Sequence, residues 1–221
     1  MQYLSKRLSV IHDMVNSDVL MDVGSDHGKL IISLVRDNRI RFGYAVENKS
    51  GPYNRLVENI KKENLLDKIT PMFSDGITDL KDDVDTIVIA GMGGFTILGI
   101  LEAHKEKLAN IKHIIVDPHN ALKDVRKGLA NLGFSIADEN IVYEDDIYYE
   151  IIDFVPGCEE YSEEDYYFGP ILKKKRDKAF LTKWAERIDE IDSILDYHIN
   201  DISEERKASL QEERERISHI L

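Results

Sequence analysis

The sequence predicts an α/β fold: an open, mostly parallel sheet followed by a helical appendage. Three observations predict it. Over residues 1 to about 155, short apolar runs rich in β-branched residues alternate with helix-like segments, the pattern of strands joined by crossover helices. The last two runs lie only a few residues apart, too close for a parallel crossover. From about Pro170 the apolar residues recur instead at helical spacing.

Taken in order, the expected strands are 19–23, 42–46, 69–73, 86–90 and 113–117. Several show little polar alternation, as strands covered on both faces do. Residues 51–64 and 96–108 read as helices between them. Two further strands, 141–143 and 149–154, are separated by residues 144–148; a parallel connection needs about a dozen residues or more, so this pair is antiparallel. Pro156-Gly157 and the acidic stretch 159–165 read as a linker or exposed loop. Beyond it, Trp184, Ile188, Ile191, Leu195, His198 and Ile202 form a heptad-like stripe. Ser203 is a fitting N-cap with Glu204 and Glu205 in the first turn, and Leu210, Ile217 and Leu221 continue a second stripe. The expected organisation is a sheet domain over 1–156, then a linker and an αα-hairpin of coiled-coil type over 157–221.

Composition narrows the function classes. Of the 221 residues, 43% are hydrophobic, enough for a real core, and 32% are charged, which fits a strongly solvated helical element. No apolar run reaches the roughly 18–20 residues of a membrane span, and the N-terminus shows no signal-peptide stretch. The single cysteine, Cys158, can form neither an internal disulfide nor a zinc cluster. The expectation is a cytoplasmic protein without membrane or metal; nothing implies an oligomer. A net charge of −13 disfavours nucleic acid, because phosphate binding draws on basic surface. The local exception is Lys173-Lys174-Lys175-Arg176 with Lys178, which is either an RNA contact or a solvated helix start.

The chemistry gathers where strands end. Asp22-Val23-Gly24-Ser25-Asp26-His27-Gly28 forms a glycine turn after the first strand, where backbone can approach a ligand. It lacks the full dinucleotide spacing and the Lys-Ser/Thr pair of phosphate loops. Asp22 and Asp26 would repel a pyrophosphate but attract the ammonium and sulfonium of S-adenosyl-L-methionine. Glu47 ends the second strand and suits a ribose diol. Ser74-Asp75-Gly76 follows the third, with Asp75 able to accept from an adenine amine or cap a helix. Ala90-Gly91-Met92-Gly93-Gly94 follows the fourth and leaves space beside a reactive methyl. The expected cofactor site is Asp22, Gly24, Ser25, Asp26, His27, Glu47, Asn48, Asp75, Gly76, Ala90, Gly91 and Met92.

These residues also carry a resemblance. Leu4-Ser5-Lys6-Arg7-Leu8, the Gly24-Ser25-Asp26-His27 turn, Gly51-Pro52-Tyr53, Asp75-Gly76, Ile89 to Gly94, and Glu144-Asp145 with Tyr149-Glu150-Ile151 stand in the order seen in the TrmK family. Gly169-Pro170 and Phe180-Leu181-Thr182-Lys183-Trp184 resemble that family's C-terminal region. The resemblance implies a Rossmann-like class I methyltransferase sheet with a C-terminal coiled-coil hairpin, and methylation of N1 of adenine 22 in the tRNA D-arm. Three places depart from the family pattern: Asp117-Pro118-His119-Asn120 stands where Gln-Pro-Asn is usual, Gly28-Lys29-Leu30 differs after the turn, and Ser74 replaces a glycine.

For methyl transfer to adenine N1, the lone pair needs no strong base, so orientation and desolvation carry the rate. Asp26 is the candidate catalytic acceptor for the exocyclic amine, its alternative role being to orient the cofactor or the turn. His27 is either a contact or a structural histidine. N1 lies on the Watson–Crick edge, so the base must be exposed. Tyr53 is a candidate stacking ring, and Lys6, Arg7, Lys173, Lys174 and Lys175 are candidate tRNA contacts. Two other readings share these residues: methylation of a small molecule, and a non-catalytic RNA- or cofactor-binding protein. A nicotinamide dehydrogenase fits the turn less well.

Overall fold

The computed structural model describes residues 4–197 and 202–221. Its sheet comprises β1 (Val19–Val23), β2 (Phe42–Glu47), β3 (Ile69–Phe73), β4 (Thr86–Met92), β5 (His113–Pro118), β6 (Phe134–Glu144) and β7 (Ile147–Pro156). The spatial order is β3-β2-β1-β4-β5-β7-β6. The first five strands are parallel, and β7 runs antiparallel to both β5 and β6. The order reverses at β1 and β4, so the crevice for a ligand opens over the carboxyl ends of those strands.

Helices cover the sheet: α1 (Lys6–Met14), α2 (Lys29–Arg36), α3 (Ser50–Lys62), α4 (Gly94–Glu102) and α5 (Leu122–Asn131), with a 3-10 turn over Lys105–Asn110. β1 is buried along its whole length, and α2 buries Leu30, Ile31, Ile32, Leu34 and Val35. The helix expected over 96–108 breaks after Glu102 and continues only as the 3-10 turn. The strand expected at 141–143 begins seven residues earlier, at Phe134. Its polar first half hid it: Glu139 is fully buried because Arg126 of α5 binds it at 2.8 Å and binds Glu150 of β7 at 2.5 Å. All three side chains are buried, and a charge tolerates that only with such partners.

The acidic stretch 159–165 does not form only a loop. Ser162 and Asp165 build a capping box for α6 (Glu163–Phe168), whose acidic first turn complements the helix dipole. Arg126 also donates to the Tyr166 carbonyl at 3.2 Å, and Tyr161 Oη accepts from the Ile136 amide at 2.7 Å. These ties hold residues beyond 156 to the sheet, and the compact unit that contains the sheet extends to Pro170.

The second unit, Ile171–Leu221, contains most of α7 (Pro170–Lys175), then α8 (Lys178–Tyr197) and α9 (Glu204–Ser218). Arg176 donates to the carbonyls of Ile220 and Leu221, and Arg187 forks onto Glu213 at 2.9 Å. Arg176 stands just before α8 and its two partners just after α9, so the start of one helix lies at the end of the other and the two are antiparallel. Trp184, Ile191, Leu210 and Ile217 of the expected stripes are buried, Ile188, Leu195 and Ile202 are only partly so, and Leu221 is exposed while Ile220 takes the buried place. Ser203 caps α9 through the Arg206 amide. His198 of the expected stripe lies outside the described residues. Among the described residues, no helix is long and apolar enough to cross a membrane.

Candidate active site

Four strand ends meet over the switch point; hydrogen bonds tie the loops after β1, β2 and β3 to one another, and the loop after β4 to the loop after β5. The amides of Gly24 and Ser25 donate to the Val46 carbonyl at 2.9 and 3.1 Å, joining the β1 turn to β2. The Asp26 amide donates to Glu47 Oε1 at 2.6 Å. The Ser74 amide reaches the Glu47 carbonyl at 3.0 Å, and Asn48 Nδ2 donates to Asp75 Oδ1 at 2.8 Å. The His119 amide returns to the Met92 carbonyl at 2.9 Å, and Asn120 Oδ1 accepts from the Gly94 amide at the start of α4.

Two glycines are required by their backbone. Gly24 has φ +75°, and a Cβ there would collide with the end of Met92. Gly91 has φ +76° and sits in a bulge: Ala90 pairs with Asp117 and Met92 with Pro118, leaving Gly91 extra. A bulge bends the strand and re-aims the residues after it, and here it presents bare backbone at the end of the central strand. Asp26 is also left-handed, φ +47°, a conformation that Asp tolerates better than most residues.

A cavity of about 590 Å³ opens here, lined by Gly24, Asp26, Glu47, Asn48, Asp75, Gly76, Ala90, Gly91 and Met92 among others. That size is in the usual small-molecule range. A second cavity of about 390 Å³ shares Gly24, Asp26, Ala90 and Gly91 with the first and adds Asp22, Ser25, His27 and Arg7. All twelve residues expected to hold the cofactor therefore line one or both of these adjoining spaces. Arg7 lines the second. Lys6 lines neither; its amide donates to Glu144 Oε1 at 2.6 Å, fastening α1 to the β6–β7 hairpin. Tyr53 also lines neither and packs edge-on against Phe73, with ring centroids 5.3 Å apart. Lys173, Lys174 and Lys175 are on α7, in the second unit's part of that helix.

Four carboxylates, Asp22, Asp26, Glu47 and Asp75, line the two cavities together with the cations Arg7, Lys29 and Lys49. Burial, opposed by a hydrogen bond from Ser25 and reinforced by the charge of Glu47, pushes the Asp22 carboxyl from 3.8 up to about 6. Asp26 is exposed, with His27 Nε2 at 3.7 Å and Arg55 at 4.0 Å. Burial also raises Asp117, against the opposing charge and hydrogen bond of Arg7, the charge of His119 and the Gly91 backbone. Asp117 is fully buried, and its Oδ1 has no partner in hydrogen-bonding geometry. Arg7 pairs with Asp117 Oδ2 and lies over the Tyr149 ring, 5.1 Å from its centroid. His119 packs against the same ring at 6.1 Å.

Sequence reading missed the wall contributed by α4. Thr96, Gly99, Ile100 and Ala103 line the larger cavity, at the spacing of one helix face; that spacing was legible, but nothing local says the face meets a ligand. Ser5, the N-cap of α1, and Leu8 of that helix line the smaller cavity. The Asp117–His119 departure falls beside Gly91, with His119 Nε2 3.7 Å from where a Gly91 Cβ would sit.

Comparison with known proteins places this geometry. The family model described as TrmK, tRNA (adenine(22)-N(1))-methyltransferase, matches residues 20–221. The tRNA (adenine(22)-N(1))-methyltransferase of Bacillus subtilis (strain 168) is 31% identical over 201 residues, covering 87% of this chain and 84% of that protein. A Streptococcus pneumoniae protein solved in complex with S-adenosyl-L-methionine is similar at TM-score 0.91 and 34% identity, over 99% of this chain and 100% of that one. M. capricolum TrmK, solved with S-adenosyl-homocysteine, is similar at TM-score 0.86 and 27% identity, over 98% of this chain and 97% of that one.

Proposed function

This chain belongs to the TrmK family of tRNA (adenine(22)-N(1))-methyltransferases, and on that premise we propose how its own residues methylate N1 of adenine 22 in the D-arm of tRNA. It is an S-adenosyl-L-methionine-dependent enzyme on a Rossmann-like sheet. The family match over nearly the whole chain favours this reading over methylation of a small molecule or a non-catalytic role. We place the enzyme in the cytoplasm, where unmodified tRNA is available.

The residues present fit the cofactor. Gly24 and Gly91 keep two backbone segments free of Cβ atoms at the cavity, which leaves room for a ligand to touch main chain. When bound, S-adenosyl-L-methionine supplies a methyl group already activated by its sulfonium. Glu47 would hold the ribose hydroxyls while its Oε1 keeps the Asp26 amide in place. Asp75, steadied by Asn48, would accept from the cofactor's adenine amine. Asp22 and Asp26 place negative charge near the cationic amino-acid end. Ala90, Gly91 and Met92 form the floor where the target nitrogen approaches.

For the target base, no group needs to remove a proton before attack, because N1 already presents its lone pair. Positive charge moves onto adenine as the bond forms. A carboxylate held at the exocyclic amine would stabilise that charge, and Asp26, which lines both cavities, is the candidate for it. Lys173, Lys174 and Lys175, with the exposed Lys6, would contribute phosphate contacts. The observation that carries this reading is the meeting of all four strand-end loops at a single crevice. Incubation with labelled cofactor and unmodified tRNA, then nucleoside analysis, tests it. The expected label is in 1-methyladenosine at position 22; label in cytosine or guanine, or none with competent tRNA, rejects it.

A further inference from the structure

We propose that Phe95 is the surface on which the RNA base delivered to the cavity stacks. This rests on the tRNA reading above and names a residue that reading does not use. Phe95 is 68% exposed, the most exposed large hydrophobic side chain among the described residues. It is the second residue of α4, four positions after the Gly91 bulge. The α4 face that lines the larger cavity passes through Thr96, Gly99, Ile100 and Ala103. At about 100° per residue, position 95 falls one turn before Gly99 on the border of that face. The space beside it is open, for a Cβ on Gly99 would meet nothing within 4 Å.

The distribution of exposed apolar side chains supports this assignment. Single surface hydrophobics are ordinary, but these are segregated. Six occur among the described residues: Leu66, Phe73, Phe95, Tyr143, Ile147 and Leu221. Four of them stand on the carboxyl rim of the sheet. Phe73 ends β3 and Phe95 follows β4. Tyr143 and Ile147 belong to the β6–β7 hairpin, which overruns β5 because Val116 pairs with Ile152. Leu66, by contrast, precedes β3, and Leu221 belongs to the second unit. Of the four, Phe95 follows the strand that carries the transfer site.

The chemistry suits a base. Taking N1 off the Watson–Crick edge of folded RNA unstacks the nucleotide, and an aromatic face returns part of what is lost. Stacking needs no positive charge, so it works on a rim that also carries Asp26 and Asp75 and in a chain of net charge −13.

The test compares Phe95→Ala, Phe95→Leu and Phe95→Trp by kcat/KM on unmodified tRNA, by tRNA binding and by calorimetry with S-adenosyl-L-methionine. Phe95→Ala is expected to lower kcat/KM and tRNA affinity about tenfold or more, with cofactor affinity and the salt slope of tRNA binding unchanged. Phe95→Leu recovers only part, and Phe95→Trp restores the rest. An alanine variant within twofold of wild type, or a leucine variant equal to the aromatic ones, overturns the stacking role while wild-type turnover stands. If the wild type neither binds nor methylates tRNA, the tRNA reading falls and takes the stacking role with it.

Discussion

Replacing Asp22 with asparagine should make the apo protein more stable and the enzyme worse. Asp22 is 4% exposed, next to last in β1, hydrogen-bonded by Ser25, with the charge of Glu47 nearby. Burial raises its carboxyl from 3.8 to about 6. At about 1.4 kcal/mol per pKa unit, that difference is worth about 3 kcal/mol. The folded state thus holds the proton more tightly than the unfolded one, so wild-type stability falls as pH rises from about 4 to about 6 and then levels. An asparagine side chain carries no such penalty. The two proteins should match below pH 4, and above pH 6 the variant should gain up to about 3 kcal/mol, less the weaker bond it accepts from Ser25. For a chain of this size that is a rise in Tm of roughly 6–12 °C. Urea titrations of both proteins at pH 4.5, 6 and 7.5 measure it, and calorimetry gives cofactor affinity alongside. Affinity should fall in the variant, because the cation loses its buried counter-charge. In the wild type, affinity should strengthen as pH rises through about 6, with proton release. A stability difference that stays constant across this pH range refutes the assignment of the shift to Asp22.

Other outcomes follow from the same geometry. Changing Lys173, Lys174 and Lys175 together to alanine should weaken tRNA binding and reduce its log–log salt slope by up to about 2–3, leaving cofactor affinity intact; an unchanged slope would remove the lysines from the interface. Gly91→Ala forces a side chain into φ +76°, with its Cβ 3.4 Å from Arg7 Nη1. It should cost about 1–2 kcal/mol of stability yet abolish most turnover, as thermal melts and single-turnover assays would show; full activity would mean the bulge is not part of the transfer site.

Particular residues show why parts of this molecule were legible in advance. β1 and the cores of β2, β4 and β5 are runs of consecutive buried, mostly apolar residues, and such a run declares a strand without reference to anything distant. The glycines and acids after those runs marked the loops, since a parallel sheet places its ligand at those ends. α1 went unread because its buried face is Ile11 and its neighbours, set among Lys6, Arg7, His12 and Asp13. The first half of β6 went unread because Asp138, Glu139 and Asn140 are polar. Glu139 is buried there only because Arg126, thirteen positions earlier, neutralises it. α6 was hidden in an acidic stretch whose charge suggested solvent, although Ser162 and Asp165 supply its cap.

The sequence by itself determined the strand–helix alternation, the antiparallel last pair and the change to helices beyond Pro170, and it marked the strand-end loops whose residues line the two cavities, because each is written in a window of a few residues. Only the tertiary structure decided that Gly91 is a bulge, that Arg7 closes on Asp117 across 110 positions, and that α4 supplies a cavity wall. Those facts depend on which buried charges and which faces meet in space. Local periodicity records how deeply a residue is buried, but not against what.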